Sequence, residues 1–264
     1  ILLDLMIPKF SGFEICRRIK RDPKTQFVPI IVTTPLTHQD DRLKAIQFGA
    51  DDFLSSLASE ELAPRIKFLL HMKFLHDDLD TSESILFSLV SALEAKDSFT
   101  KGHSERVSGL AADVGRYLSL SDREITALRK GGLLHDIGKI GVREDVLLKA
   151  EKLTDDEMNH IKTHPARGYE ICAPLGSLSN CLPIIRSHHE RVDGKGYPDG
   201  IEDRKIPLLA KITAVADAFD AMTHNRPYRK AMPEKQAIKI FAKEQRTGQW
   251  DPDIVQAFLD FKKF

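Results

Sequence analysis

The chain has 264 residues, of which 42% are hydrophobic and 30% charged, enough for one or two globular domains with a substantial core. Its 39 basic and 39 acidic residues cancel, so no global field draws it to DNA or to an anionic membrane, and no apolar run approaches a membrane span. Cys16, Cys172 and Cys181 are widely spaced and form no CxxC pair, which fits a reducing cytoplasm without disulfides. No signal peptide is evident, and the chain opens at Ile1 in what reads as mid-strand, the mark of a fragment or processed chain.

Residues 1–6 read as a short buried strand ending near Asp4, and residues 7–12 as a loop. Residues 13–21 carry Phe13, Ile15, Cys16 and Ile19 at helical spacing and are closed by Asp22-Pro23. Residues 28–34 form a second buried strand, 40–48 a helix stopped by Gly49, 52–54 a third strand and 60–70 a further helix. Strands alternating with helices predict a parallel α/β sheet over residues 1–72.

Residues 73–96 are polar with apolar positions at Leu75, Leu79, Ile85, Leu86, Leu89, Val90 and Leu93. That pattern predicts a connecting helix, either paired with its copy in a homodimer or belonging to the second domain as an ordinary amphipathic helix. After a break at 97–102, a helix resumes over 103–118, with His103 in its first turn.

Within Gly131-Gly132-Leu133-Leu134-His135-Asp136-Ile137-Gly138-Lys139-Ile140-Gly141 an acid sits in apolar surroundings, where an unpaired carboxylate costs several kcal/mol. A hydrogen-bonded His-Asp pair at a helix end would satisfy it, and so would a metal cation. Lys139 adds a positive charge suited to a phosphate. Residues 133–139 are expected to be helical. Thr154 before Asp155-Asp156-Glu157 marks a helix start that leads on to His164-Pro165. Residues 181–189 predict a helix ending in His188-His189, followed by a glycine-rich loop over 190–200. A long apolar helix over 207–222 carries Asp217 and Asp220, a basic turn follows at 224–230, and amphipathic helices over 233–245 and 252–261 close the chain. With no strand pattern, residues 85–264 should be an all-α bundle.

Ten histidines occur, and five can converge: His103, His135, His164, His188 and His189. With Asp136 and Asp217 they make a thiolate-free set that suits Fe, Mn, Zn, Ni or Co. Seven candidates are enough for two metals if Asp136 bridges, and two metals about 3.5–4 Å apart bind a phosphodiester and activate a hydroxide.

Two family resemblances sharpen these readings. Asp4-Leu5-Met6-Ile7-Pro8-Lys9-Phe10-Ser11-Gly12-Phe13-Glu14 and Gly49-Ala50-Asp51-Asp52-Phe53-Leu54 resemble response-regulator receiver domains. The resemblance implies a phospho-acceptor at Asp4 and a hydroxyl switch at Thr33 or Thr34. Ser56 stands where that family has a Lys, and the family's acidic metal pair does not occur in this sequence. The segment is therefore either a structural remnant or a working receiver whose remaining part lies upstream.

Gly102-His103-Ser104, His135-Asp136-Ile137-Gly138-Lys139, His164-Pro165, His188-His189-Glu190-Arg191, Gly196-Tyr197-Pro198, Asp217-Ala218-Phe219-Asp220 and Arg226-Pro227-Tyr228-Arg229 together resemble the HD-GYP family of cyclic di-GMP phosphodiesterases, over residues 85–264. By that resemblance the metal ligands are His103, His135, Asp136, His164, His188, His189 and Asp217, and Asp136 and Lys139 carry catalysis. Lys139, Asp220, Arg226 and Arg229 would line the substrate site, with Asp220 on a guanine edge or a water. Gly196, Tyr197 and Pro198 would either dock GGDEF-domain proteins or form a rigid turn supporting His188 and His189. Phe99 stands four residues before His103, where some family members place a third-metal Glu, so two metals are expected, iron first, then manganese, with zinc and nickel as alternatives. The implied reaction is hydrolysis of cyclic di-GMP, either to pGpG or further to GMP. The alternatives are an inactive cyclic di-GMP sensor or docking module, and an HD phosphohydrolase for another nucleotide.

Overall fold

The computed structural model of the chain describes residues 1–7, 11–33, 39–54, 60–96, 102–149, 151–225 and 230–263. Thr34, Ser56, Phe99, Arg226 and Arg229 lie outside the described residues. The chain divides into two compact units, Ile1–Glu83 and Ser84–Phe264.

The first unit holds β1 (Leu2–Asp4), α1 (Gly12–Arg21), β2 (Ile31–Thr33), α2 (Gln39–Gln47), β3 (Asp52–Leu54) and the start of α3 (Leu62–Lys96). The sheet order is β1-β2-β3, all parallel, with Leu3 opposite Val32 and Val32 opposite Phe53. Parallel neighbours need a crossover, which α1 and α2 supply. Ile30, Ile31, Val32 and Thr33 are all buried, as befits a central strand covered on both faces. The core is small: Leu3, Leu5, Cys16, Ile30, Val32, Ala45, Ala50 and Phe53.

Two helices were expected over 60–70 and 73–96, but α3 runs unbroken from Leu62 to Lys96. No glycine occurs in it, its one proline, Pro64, lies in the first turn, and the Lys73–Asp77 pair (2.9 Å) spans the expected junction.

The second unit contains the end of α3, α4 (His103–Tyr117), α5 (Asp122–Leu134), a 3₁₀ turn (Ile137–Gly141), α6 (Glu144–Leu147), α7 (Asp155–Ile161), α8 (His164–Cys172), α9 (Leu182–Ser187), α10 (Leu208–Thr223), α11 (Glu234–Glu244) and α12 (Pro252–Phe261). Among the described residues of this unit there is no strand. α4 packs on α5 and α10, and α8 packs on α9 and the 3₁₀ turn. The fully buried Val107, Leu128, Leu134, Ile184, Ile212, Phe241 and Phe258 join them in one core. Capping boxes at Ser121/Glu124 and Thr154/Glu157 start α5 and α7, and the Asp251 side chain caps α12. No helix among the described residues is long and apolar enough to cross a membrane.

Residues 133–139 do not form one helix. α5 ends at Leu134, and the chain turns through His135 and Asp136 into the 3₁₀ segment. A continuous helix would splay adjacent side chains about 100° apart; the break lets both face one interior. Gly138 permits it, since a Cβ there would collide with the His164 carbonyl and approach the Gly168 nitrogen to 2.5 Å. Likewise α9 ends at Ser187, so His188 and His189 follow the helix rather than finish it.

Candidate metal centre

Helix ends carry most of the cluster. His103 opens α4, His135 and Asp136 follow α5, His164 opens α8, His188 and His189 follow α9, and Asp217 lies within α10. His103, His135, Asp136, His164 and His188 are all buried. Their ligand atoms form two groups: Asp136, His164, His188 and His189, and His103, His135 and Asp217, each within 4.8 Å. Asp136 stands between them. Its Oδ1 is 3.2 Å from His164 Nε2, while its Oδ2 is 3.4 Å from His135 Nε2 and 3.9 Å from His103 Nε2. The structure thus brings together all seven residues expected as ligands.

Backbone carbonyls set the ring tautomers. His135 Nδ1 lies 2.7 Å from Gly132 O, His164 Nδ1 2.8 Å from Ile161 O, and His188 Nδ1 2.9 Å from Ile185 O. A carbonyl only accepts, so each Nδ1 donates and each neutral ring turns an Nε2 lone pair inward. His164 Nε2 and His188 Nε2 then face each other at 3.3 Å as two acceptors. His135 Nε2 and Asp136 Oδ1 are buried with no hydrogen-bond partner. Each such orphan costs about 1–3 kcal/mol. Cations between these lone pairs would satisfy all of them, so the donor set fits metal ions.

The electrostatics point the same way. Burial, reinforced by the neighbouring imidazoles, holds His188 well below the usual histidine range. Burial pushes His189 down to about 3. Both rings are neutral at pH 7. Burial opposes ionisation of Asp136, but Lys139 and His135 outweigh it and keep the carboxyl well below its ordinary value. Asp217 is also lowered, its burial outweighed by His103. Burial disfavours a charged His103, yet hydrogen bonds to Asp217 and Asp220 raise it to about 9. This is a pocket that seeks positive charge.

Asp220, expected at the substrate site, sits buried behind His103. It accepts His103 Nδ1 at 2.7 Å, Arg106 Nε at 2.6 Å and Arg106 Nη2 at 3.1 Å. That contact orients the ring and leaves Nε2 for the cluster, 3.3 Å from Asp217 Oδ1. Arg106, one helical turn after His103, escaped the sequence reading, although its i,i+3 spacing was a usable signal. Lys139 Nζ is 2.5 Å from Asp136 Oδ2.

The glycine-rich loop packs against this centre. The Tyr197 ring lies 4.7 Å from that of His189, and Tyr197 N–H donates to His189 O at 3.2 Å. A Cβ on Gly196 would press on the Glu190 backbone. Buried Glu190 accepts Asp199 N–H at 2.7 Å and Ile201 N–H at 3.2 Å, and Pro198 follows Tyr197 in the same turn. In the first unit, Asp4 is exposed at the end of β1, where its Oδ1 accepts the Met6 N–H at 2.9 Å.

A cleft of about 600 Å³ opens on the cluster. His103, Asp136, Lys139, His189 and Asp217 line one side. The other is made by Met222 of α10, Met232, Ile240, Phe241 and Glu244 of α11, and Gln249 and Trp250. The motif reading missed this far wall, because an amphipathic pattern identifies a buried face without saying what it faces.

An all-helical unit closing a His/Asp pocket over a cleft is the architecture of the HD domain, whose family model matches residues 88–254. The response regulator receiver domain model matches residues 1–67. The chain belongs to the HD-domain family, in the branch that carries a receiver segment ahead of the helical unit. It is 36% identical to the cyclic di-GMP phosphodiesterase response regulator RpfG of Xanthomonas campestris pv. campestris, over 98% of this chain and 74% of that protein. It is 32% identical to a cyclic di-GMP phosphodiesterase of Thermotoga maritima, over 99% of this chain and 78% of that one. Among solved structures, Bd1817, an HDG"Y"P protein from Bdellovibrio bacteriovorus, shares the fold with a TM-score of 0.53 at 20% identity, over 71% of this chain and 64% of that chain.

Proposed function

We propose that this chain is a metal-dependent phosphodiesterase that opens cyclic di-GMP, with pGpG or GMP as the final product. The observation that carries the reading is Asp136, one oxygen turned to each ligand group, beside the opposed lone pairs of His164 and His188. The names of the relatives with which the chain aligns almost end to end support the substrate. Iron is the first choice of metal and manganese the second, two ions per chain, in keeping with an N/O donor set without sulfur.

Asp136, His164, His188 and His189 would hold one ion, and His103, His135, Asp217 and the second oxygen of Asp136 the other. When bound, the ions supply Lewis-acid polarisation of a phosphoryl oxygen and a hydroxide at neutral pH. Lys139, which lines the cleft, neutralises charge that grows on the phosphate. Asp220 and Arg106 hold His103 in register, and Tyr197 buttresses His189. That support is the role we assign to the Gly196-Tyr197-Pro198 turn in preference to docking GGDEF-domain proteins. Arg226 and Arg229 keep the substrate-binding role that the family resemblance implies. The balanced charge and lack of a CxxC pair support a cytoplasmic residence.

The same reading includes a homodimer through α3. Phe68, Met72, Leu75, Leu79, Ser82, Leu86, Leu89 and Leu93 recur at alternating spacings of four and three, and Phe68, Met72, Leu75, Leu79 and Leu89 are 40–63% exposed. An a/d seam of this kind is self-complementary. Leu75→Lys with Leu79→Lys should halve the mass seen by light scattering.

Metal content and cyclic di-GMP hydrolysis should be measured on one anaerobically purified sample beside Asp136→Ala. Two ions per chain with turnover that the variant abolishes support the reading. Three ions per chain, or cyclic di-GMP left intact by the loaded wild type, count against it; tight binding without turnover points instead to a sensor.

A further inference from the structure

Resting on the phosphodiesterase reading, we propose that the far wall of the cleft is a guanine-base subsite in which Glu244 reads the base edge, with Gln249 and Trp250 completing the pocket. The cleft that opens on the cluster is also lined by these three residues, together with Met222 and Met232. The polarisable thioethers of Met222 and Met232 and the half-buried Trp250 ring suit a flat heterocycle.

The charge is the informative part. A carboxylate opposes a phosphate, so Glu244 has no use toward the phosphodiester itself. Among the described residues its carboxylate makes no hydrogen bond or ion pair, although the residue is half-buried. Other half-buried acids in this unit are paired. Glu157 has Lys149 at 2.7 Å, Asp193 has Arg191 at 2.7 Å, and Asp251 has Lys211 at 2.8 Å. Unpaired polar groups in a cleft wall are satisfied by what binds there.

Guanine presents two adjacent donors, N1–H and the exocyclic N2–H, which a carboxylate accepts side by side. Adenine presents an N1 lone pair in that place, so it offers a single donor and sets a lone pair against the carboxylate. The wall therefore selects guanine over adenine.

The test compares wild type, Glu244→Ala and Glu244→Gln on cyclic di-GMP, cyclic di-AMP and bis(p-nitrophenyl) phosphate, a phosphodiester without a base. The expected result is a KM for cyclic di-GMP raised about tenfold or more by Glu244→Ala, with kcat and the rate on the baseless ester unchanged. Glu244→Gln, which keeps one acceptor, should fall between. Calorimetric binding of the two cyclic dinucleotides gives a readout independent of turnover. Wild-type KM and binding preference in Glu244→Ala would overturn the subsite, as would equal affinity of the wild type for the two ligands. A loaded wild type that leaves the baseless ester intact counts against the phosphodiesterase reading alone; the binding preference then still decides the subsite.

Discussion

The two units of this chain handle polar groups in opposite ways. The first has a small apolar core, and its acid at the end of β1, Asp4, stays exposed and bound to a neighbouring backbone N–H. The second buries five of its histidine and aspartate ligands beneath helix ends and leaves donor atoms unsatisfied inside. An exposed acid costs nothing to keep, whereas orphaned buried atoms persist only where something offsets their desolvation. The converging orphaned donors mark the helical unit as the place to seek chemistry.

The largest expected contrast comes from paired glycine substitutions. Gly138→Ala would drive a Cβ into the His164 backbone and should destabilise the helical unit by about 3 kcal/mol while dispersing both ligand groups. Gly12→Ala would place a Cβ 2.6 Å from the Asp4 carbonyl oxygen, disturbing the sheet unit while metal binding persists. Thermal melts followed by fluorescence of the chain's single tryptophan, Trp250, report the helical unit, and metal titration reports its site. Loss of metal binding in Gly12→Ala would break the contrast.

Acid gives the next contrast. His189 titrates near 3 when folded, against 6.5 as the ordinary value, and His188 is also lowered. Below pH 6.5 the unfolded chain takes up protons that the folded one refuses, so stability is fully present above that pH and falls as pH drops toward 3. Each group contributes up to about 1.4 kcal/mol per pH unit in that window. Urea midpoints of chelated protein, read by Trp250 between pH 6.5 and 5, where the raised His103 is charged in both states, should decline; a flat profile would contradict neutral buried imidazoles.

Asp220→Asn keeps an acceptor for His103 but removes the charge. It should weaken metal binding at the group formed by His103, His135 and Asp217 by about 10- to 100-fold and spare the group formed by Asp136, His164, His188 and His189. Equal weakening of both sites in a calorimetric titration would mean that Asp220 acts on the whole pocket. Ser121→Ala, which removes one half of the α5 capping box, should cost only about 1 kcal/mol in chemical denaturation and leave metal stoichiometry intact.

Local pattern alone was enough for the division into an α/β segment and a helical segment, since strand and helix periods are written in neighbouring residues. It was enough too for the inventory of residues that converge in the helical unit: imidazoles and carboxylates in apolar runs stand out against their surroundings. Tertiary packing decided what those residues do. Whether His135 and Asp136 face one interior depends on a helix break that Gly138 permits against α8, and α3 runs through the expected boundary because nothing in it stops a helix. Asp220 turned from substrate contact to support of His103, 117 residues away in sequence. Glu244, Gln249 and Trp250 gained meaning only when α11 and the turn after it closed the cleft. Contacts of such sequence separation leave no trace in a window of a dozen residues. The spacing of side chains along a chain dictates its elements, but which atoms meet inside is settled by how the elements pack.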